Sequence, residues 1–487
     1  MSPPRSKGPK QPQTTDRYSS PLESRNASRE MSAIFSAHRR ALTWRRIWVA
    51  LARAQHEMGL SVSAAQVRAL ERRVEDVDLA AAARHERRLR HDVMAHLQAF
   101  GDQVPRARGI LHLGATSMDI VDNADLILMR DALSLIRQWL VTAVDALAKQ
   151  AKRYRNMPCL GFTHYQPAQL TTVGKRAATW CWDFVRNLDD IDANLGQLRF
   201  RGIRGATGTQ ASFLKLFDGR ASKVGQLEKR VAADLGFKSC EPVTGQTYSR
   251  TQDARILSTL ANIAAGAHKF ANDIRLLANL KEIEEPFESS QVGSSAMAYK
   301  RNPMLCERAT GLARFVISLA QSAFQNAAEQ WLERTLDDSS NKRIIIPEAF
   351  MATDGILQIV VRVAQGLVVY PKVMRSRIEA ELPFMATENI LMAAVAAGGD
   401  RQALHERIRV HAQAAARVIK QQGRPNDLLD RLRGDPAFDG VAIDRATDPR
   451  AFIGLAPQQV DDFLKTVVGP LRRRHRSTPR REPEIEV

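Results

Sequence analysis

Two of the segments that could do chemistry hold a histidine among polar or charged neighbours. Arg90, His91 and Asp92 follow one another inside RRLRHDVMAH, where a histidine at a helix start could bind an anion or orient a proton. Pro167 biases the residue before it away from helical geometry, so His164 in GFTHYQPAQ lies in a turn or extended segment. A histidine held in this way is a candidate general acid or base. A solvated helix face and a structural loop histidine are the plain alternatives.

Three further segments are rich in small polar residues, and two of them add cations, as an anion site would. Thr116 and Ser117 precede a long helix in HLGATS, where they could cap the helix or hold a carboxylate at its positive end. The loop QVGSSAMAYKRNP joins Gly-Ser-Ser to the adjacent cations Lys300 and Arg301, as a mobile anion-binding lid would require. The segment RTLDDSSNKR places planar guanidinium groups on both sides of paired serines. Basic surface loops and helix caps remain the alternative for each segment alone.

Long helical segments with few breakers must position these loops. Apolar residues recur at three- and four-residue steps over 120–154 and 251–285, and 35 helical residues make a rod of roughly 50 Å. Further helical patterns cover 33–100, with breaks at Gly59 and near Val77, and then 170–200, 304–333 and 342–369. Strand signals are nearly absent. Helices of this length exceed the usual range, so the pattern predicts an all-α fold with a long bundle that subunits share.

Breaks in this pattern predict the domain organisation. The predicted regions are a disordered basic tail at 1–24, an N-terminal helical domain at 25–116, a central long-helix bundle at 117–369 with a lid loop at 286–303, a C-terminal helical domain at 370–470, and a second basic tail at 471–487.

Composition bounds the function classes. The chain has 487 residues, 44% of them hydrophobic and 25% charged, which excludes a wholly disordered or collagen-like protein. We find neither an apolar run approaching the roughly 20 residues of a membrane span nor a secretory signal, and we expect a cytoplasmic protein. The four cysteines form no C-x-x-C pair, which favours reduced thiols. The net charge of +18 fits an anionic small molecule, a nucleic acid or an Arg-rich composition, but no nucleic-acid-binding motif appears.

Taken together, the segments resemble the fumarase/aspartase superfamily of lyases. The lid sequence GSSAMAYKRNP resembles the signature loop of that superfamily, and within it the match is closest to the animal-type adenylosuccinate lyase family. The resemblance covers about residues 18–470. It rests on seven further motifs in order along the chain: RLRHDVMAH, HLGATS, GFTHYQPAQLTTVGKR, RFRGIRGATGTQASF, TGQTYSR, RTLDDSSNKR and LPFMATENI.

This resemblance implies an architecture and a reaction. It implies a three-domain, all-helical subunit in a homotetramer whose active sites are shared between subunits. It also implies no metal, no redox cofactor and no membrane. The expected reaction eliminates fumarate from adenylosuccinate to give AMP, and from the succinyl-aminoimidazole-carboxamide ribotide of de novo purine synthesis.

The resemblance also implies a role for each matched residue. Ser294 on the lid matches the base, His164 the acid, and His91 a second active-site histidine that binds substrate and supports His164. Water exclusion and nearby charge would have to lower the serine pKa when the lid closes. The other matched positions bind substrate: Thr116 and Ser117 one carboxylate, Lys300 and Asn302 the second, Arg25, Arg334, Ser339 and Arg343 the phosphate, and Asn26, Arg90, Asp92, Thr163, Gln246 and Arg308 the surrounding contacts.

Several positions depart from the family pattern. Asn26 stands where a nucleotide-binding Tyr is usual, Arg29 replaces a Pro, and Ala298 replaces the Pro of the lid. These changes leave a second hypothesis open, a catalytically impaired paralogue with a structural or binding role. A lyase for argininosuccinate or a simple dicarboxylate is a third, although TGQTYSR and RTLDDSSNKR match the nucleotide-specific branch. Nucleic-acid binding by the basic tails remains a minor alternative.

Overall fold

The computed structural model describes residues 18–288 and 291–485, and in them the fold is almost entirely helical. This confirms the all-α fold class. The α-helices are α1 Arg29–Ile34, α2 Ala37–Glu57, α3 Ala64–Arg73, α4 Leu79–Leu89, α5 Asp92–Gln103, α6 Ser117–Arg153, α7 Val173–Gln197, α8 Ala211–Leu216, α9 Ala221–Asp234, α10 Thr251–Asn279, α11 Met304–Ala328, α12 Asp337–Gln365, α13 Pro371–Met385, α14 Thr387–Ala396, α15 Arg401–Gln422, α16 Leu428–Arg433, α17 Ile443–Ala446, α18 Ala456–Phe463 and α19 Gly469–Arg474. Single turns of 3₁₀- or π-helix lie at Leu22–Asn26, Pro105–Ile110, Pro436–Phe438, Pro449–Phe452 and Leu464–Val468. The strands are β1 Pro158–Thr163, β2 Gln166–Thr172, β3 Ile283–Glu284 and β4 Val368–Val369.

Five long helices form the central bundle that carries the loops. Helix α6 has 37 residues, a length of about 55 Å, and packs against α7 and α12, while α10 packs against α11. Their apolar faces meet in one continuous core. The helical segments predicted around 120–154, 251–285, 304–333 and 342–369 correspond to α6, α10, α11 and α12.

Helix α12 departs from the expectation about membrane spans. By length and composition alone it could cross a membrane, but 78% of its most apolar stretch is buried inside the protein. Its apolar residues face the neighbouring helices on several sides, so the helix reads as apolar nearly all round. The expectation of no sufficiently apolar stretch was therefore wrong, and burial in the bundle explains this composition.

A β-hairpin interrupts the helical pattern, although strand signals are nearly absent from the sequence. Strands β1 and β2 pair antiparallel, and the last pair is Thr163 with Gln166. His164 and Tyr165 form the two-residue turn with φ values of 51° and 56°, as in the type I′ turn that matches the twist of a hairpin. The left-handed region is costly for residues with a Cβ atom. The sequence predicts that His164 lies in a turn or an extended segment, and the structure places it in the turn at the tip of a hairpin.

Segments near both chain ends pack against the rest of the fold, whereas a solvated tail was expected at each end. The turn Leu22–Asn26 begins within the segment expected to be disordered, and Leu22 is buried; residues 1–17 lie outside the described residues. At the other end, Leu471 is buried and the residues after it run back along the bundle. Residues from about 386 to 443 surround a separate small core. The predicted domain boundaries otherwise remain predictions.

Candidate active site

A cavity of about 750 Å³ gathers nearly half of the residues predicted to act on substrate. Four chain segments meet there: the junction of α4 and α5, the start of α6, the loop before α10, and the start of α12 with the loop before it. The predicted residues that line it are Arg90, His91, Asp92, Ser117, Gln246, Arg334, Ser339 and Arg343.

The junction of α4 and α5 fixes His91 at a helix start. Arg90 ends α4 in the left-handed conformation, with φ of 52°, and His91 then caps α5, its Nδ1 accepting the Met94 N–H at 3.5 Å. Asp92 accepts a hydrogen bond of 2.8 Å from Arg343. Burial opposes ionisation of Asp92, but the hydrogen bonds from the backbone and from Arg343 outweigh it and lower its pKa. This carboxylate therefore stays charged and ties two of the predicted segments together.

The start of α6 presents Ser117 to the cavity. The backbone N–H of the preceding residue, Thr116, donates to the Asp119 carboxylate at 2.8 Å, and Asp119 is buried. This capping carboxylate satisfies a backbone donor at the helix start and fixes its direction. Ser117 is the first helical residue, and Thr116 lies immediately outside the helix as its N-cap.

The loop before α10 is seated against the segment that carries Arg334. The backbone N–H of Gln246 donates to the Glu333 carbonyl at 3.0 Å, and a Cβ atom on Gly245 would lie 2.7 Å from the same oxygen. Only glycine allows this approach. The buried Nη1 of Arg334 has no hydrogen-bond partner among the described residues. A buried donor normally finds an acceptor, so this guanidinium is suited to an anion in the cavity.

A network of mostly buried charges, which sequence reasoning did not assign, underlies the cavity, and its members Arg250, Asp338 and Lys342 line it. Arg250 bonds Asp122 at 3.0 Å and Asp338 at 2.6 Å. Lys342 reaches Asp122 at 3.2 Å and Asp125 at 2.7 Å. Although burial favours its neutral form, the charges of Arg250 and Lys342 lower the pKa of Asp122 to about 2. We refer to these five residues as the floor network.

The floor network left a signal in the sequence. Asp122 interrupts the apolar face of the longest helix, and Arg250, Asp338 and Lys342 lie within motifs already singled out for other residues. A charged residue at an apolar position is costly unless it is paired. Partners that lie 88 to 220 residues apart cannot be matched from one sequence, so the pairing required the fold.

The lid loop holds three predicted residues away from this cavity. The Ser294 hydroxyl oxygen accepts the Met297 N–H at 3.1 Å, and Asn302 donates to the Gly293 carbonyl at 2.7 Å. A Cβ atom on Gly293 would lie 2.2 Å from the Lys300 carbonyl, which requires glycine there. Backbone donors aimed at Ser294 would favour its ionised form. Lys300 is exposed, and Arg308 lies in α11 beyond the lid.

The remaining predicted residues lie in two other places. His164 and Thr163 are exposed at the hairpin tip. Arg25 lines a second cavity of about 600 Å³ together with Gln291 at the base of the lid. Asn26 next to it turns its side-chain amide back to the Pro21 carbonyl at 2.8 Å. Among the described residues of one chain, neither the hairpin nor the lid lines the cavity of His91.

Comparison with known proteins identifies the family. A family described as Lyase matches residues 19–318, and one described as Adenylosuccinate lyase C-terminus matches residues 383–463. Adenylosuccinate lyase of Saccharomyces cerevisiae is 51% identical over 455 residues, covering 92% of this chain and 94% of that protein. The protein of that name from Schistosoma mansoni is 43% identical, covering 93% and 96%. The chain belongs to the adenylosuccinate lyase family.

Solved structures related to this adenylosuccinate lyase family member share its fold. A fumarate lyase from Mesorhizobium sp. BNC1 superposes with a TM-score of 0.78 at 25% identity, covering 90% of this chain and 98% of that one. The 3-carboxy-cis,cis-muconate lactonizing enzyme from Pseudomonas putida gives 0.79 at 24% identity, covering 92% and 99%. The latter likeness speaks to fold alone. The family assignment confirms that the chain is a lyase, and it rests on the sequence relatives.

Proposed function

We propose that this chain releases fumarate from adenylosuccinate to give AMP, and from the succinyl-aminoimidazole-carboxamide ribotide of purine synthesis. The observation that carries the proposal is the 51% identity to a named adenylosuccinate lyase along nearly the whole chain. The cavity that collects His91, Arg334, Ser339 and Arg343 supports it, because a substrate with a phosphate and two carboxylates requires several cations and polar donors.

The proposed reaction is a β-elimination in which Ser294 and His164 move the protons. Ser294 takes a proton from the carbon next to a carboxylate, and the electron pair moves to form the new double bond of fumarate. The carbon–nitrogen bond breaks, and the nitrogen keeps its electron pair and takes a proton from His164. Lys300 and Asn302 stabilise the carboxylate on which charge develops. The backbone donor to Ser294 is consistent with its role as the base.

Substrate binding would distribute the anionic groups over the described segments. Arg334, whose Nη1 has no partner within 18–288 and 291–485, would hold the phosphate together with Ser339, Arg343 and Arg25. Ser117 and Thr116 would hold a carboxylate at the start of α6.

We further propose a cytoplasmic homotetramer in which several subunits complete each site. The separation of the hairpin, the lid and the cavity within one chain supports this arrangement, because one subunit alone does not gather all three. Exposed apolar side chains beside the cavity, including Trp331 and Leu336, offer surface for a second copy.

A direct assay tests the reaction. Purified protein mixed with adenylosuccinate should change the ultraviolet absorbance of the purine and release equimolar fumarate and AMP. A matched Ser294→Ala protein should do neither at a comparable rate. Absence of turnover by the folded wild-type protein on both succinyl substrates would reject the proposal and favour the impaired paralogue.

A further inference from the structure

The basic C-terminal segment is bound along the central bundle over much of its length. We refer to residues 472–485 as the strap. Its first part is held by ion pairs, with Arg472 and Arg480 both bonding Asp145, at 2.6 and 2.8 Å, and Arg474 bonding Asp189 at 2.5 Å. Charge alone at a chain end predicts a solvated tail. Here the positive charges of the strap match carboxylates on α6 and α7.

Arg481 is the most extensively bonded residue of the strap. Its guanidinium lies 4.9 Å from the centre of the Trp139 ring and donates to the Gln138 side chain at 3.0 Å. Its backbone N–H donates to Thr142 at 3.0 Å. The same guanidinium bonds Glu30 on α1, the helix that follows the turn Leu22–Asn26, which we call the Arg25 turn. Arg481 thus connects the strap, α6 and α1, with only 19% of its side chain exposed.

A chain of buried and partly buried hydrogen bonds runs from this region to the Arg25 turn. Asp354 accepts the indole N–H of Trp139 at 2.7 Å and the backbone N–H of Ser28 at 2.6 Å. Gln358 donates to the Asn26 carbonyl at 3.2 Å and accepts the backbone N–H of Glu484 at 3.2 Å. The Asn26 carbonyl and the Ser28 backbone N–H, just after Arg25, are therefore each held by a side chain. Gln358 also contacts the strap, and Asp354 also contacts Trp139, on which Arg481 lies.

The end of the strap also forms a wall of the cavity that contains Arg25. Pro483, Glu484 and Ile485 line this cavity of about 600 Å³, together with residues at the base of the lid. Ile485 packs against the main core. The strap thus reaches the Arg25 turn in two ways, through Arg481 and α1 on one side and through the cavity wall on the other.

We propose that Arg481 is a positioning residue that, through the strap, holds the Arg25 turn in the conformation that binds the anionic group of the substrate. This inference rests on the proposed function, in which Arg25 contacts the phosphate. Arg25 itself is exposed, and its long side chain has many rotamers, so a fixed backbone limits the entropy lost on binding. Loosening the turn should weaken substrate and transition state binding equally, which raises KM and leaves kcat unchanged.

The test compares two charge-removing variants on the same strap. Arg481→Gln removes the anchor, whereas Arg476→Gln removes an exposed arginine whose side chain makes no hydrogen bond or ion pair among the described residues. We expect the first to raise KM for adenylosuccinate roughly fivefold with kcat within about twofold, and the second to change neither. Arg481→Lys, which keeps the cation, should restore part of the loss. An unchanged KM in Arg481→Gln would overturn the proposal.

A double variant separates positioning from general damage. If Arg481 acts through Arg25, Arg25→Gln combined with Arg481→Gln should raise KM no further than Arg25→Gln alone. Multiplying effects would overturn the proposal. An unchanged KM in Arg25→Gln would instead reject the phosphate role given to Arg25, whatever the strap does. If Arg481→Gln does not fold, Glu30→Gln removes only the ion-pair partner and should also raise KM without changing kcat. A normal KM in Glu30→Gln would overturn the positioning role of Arg481.

Discussion

The floor network and the two segments proposed to transfer protons are built in opposite ways. Asp122, Arg250 and Lys342 are buried, paired and fixed within one chain. His164 lies at an exposed hairpin tip. Ser294 lies on the lid loop, and the base of that loop lines a different cavity, the one that contains Arg25. Under the proposed function, each chain would build the binding surface in advance, and closure or association would bring the proton-transfer residues to it.

The comparison predicts that the two regions fail differently when mutated. Variants of the exposed segments should lose turnover and keep stability. Variants of the floor should lose stability first. A variant that mixes the two outcomes would show that the regions are not separate.

The largest effect should follow from Ser294→Ala and from His164→Gln. Each should lower kcat by at least about two orders of magnitude, which is typical of losing a positioned acid or base. The thermal midpoint should stay within the range of the wild-type protein, because neither side chain is part of the core. Near-normal turnover in either variant would show that the role given to that residue is wrong.

Breaking the floor should come next in size. Asp122→Ala leaves Arg250 and Lys342 buried with fewer partners, and we expect a loss of about 3–5 kcal/mol in the free energy of unfolding. The matched control is Asp430→Ala, whose carboxylate is mostly exposed, so its loss should stay within about 0.5 kcal/mol. Equal thermal midpoints for both variants would contradict the structural role of the floor.

A smaller effect concerns pH. Burial raises the pKa of Asp253, which accepts the Tyr248 hydroxyl beside the floor, to about 6, despite the nearby Arg250 and Lys342. A raised folded-state pKa stabilises the protein at low pH, and this contribution is lost as pH rises through about 6. Asp253→Asn should therefore gain about 1 kcal/mol relative to wild type between pH 5 and 7.5. The thermal midpoints of both proteins at the two pH values measure this gain. The same difference in midpoint between the two proteins at both pH values would contradict the prediction.

The smallest effect should come from Asn26→Tyr. The asparagine amide donates to the Pro21 carbonyl, so a nucleotide bound here as proposed would lack the contact expected from a Tyr in this family. A restored contact of on the order of 1 kcal/mol should lower KM for adenylosuccinate several-fold with little change in kcat. Steady-state kinetics of Asn26→Tyr and of the wild-type protein on adenylosuccinate measure this change in KM. An unchanged or higher KM would mean that Asn26 does not mark a weakened site.

The sequence predicted the long helices and eight of the cavity residues because both leave local patterns. Apolar periodicity located α6, α10, α11 and α12, and the motifs located His91 and its neighbours. The hairpin at His164 was missed, because its strands are short and contain Gly161 and Pro167, residue types that are depleted in strands. The floor pairs and the strap contacts were missed for a different reason, since they join residues far apart in the chain. Long-range pairing of this kind has no signature in one sequence.

The central claim, that subunits share each site, is tested most directly by mixing two inactive variants. His91→Gln and Ser294→Ala proteins should each be inactive alone. After confirmed subunit exchange in an equal mixture, about a quarter of the sites should receive both residues intact if the residues come from different subunits of a closed oligomer. Recovery of about that fraction of wild-type activity is the predicted result. No recovery after exchange would contradict the account and place His91 and Ser294 in one subunit's site.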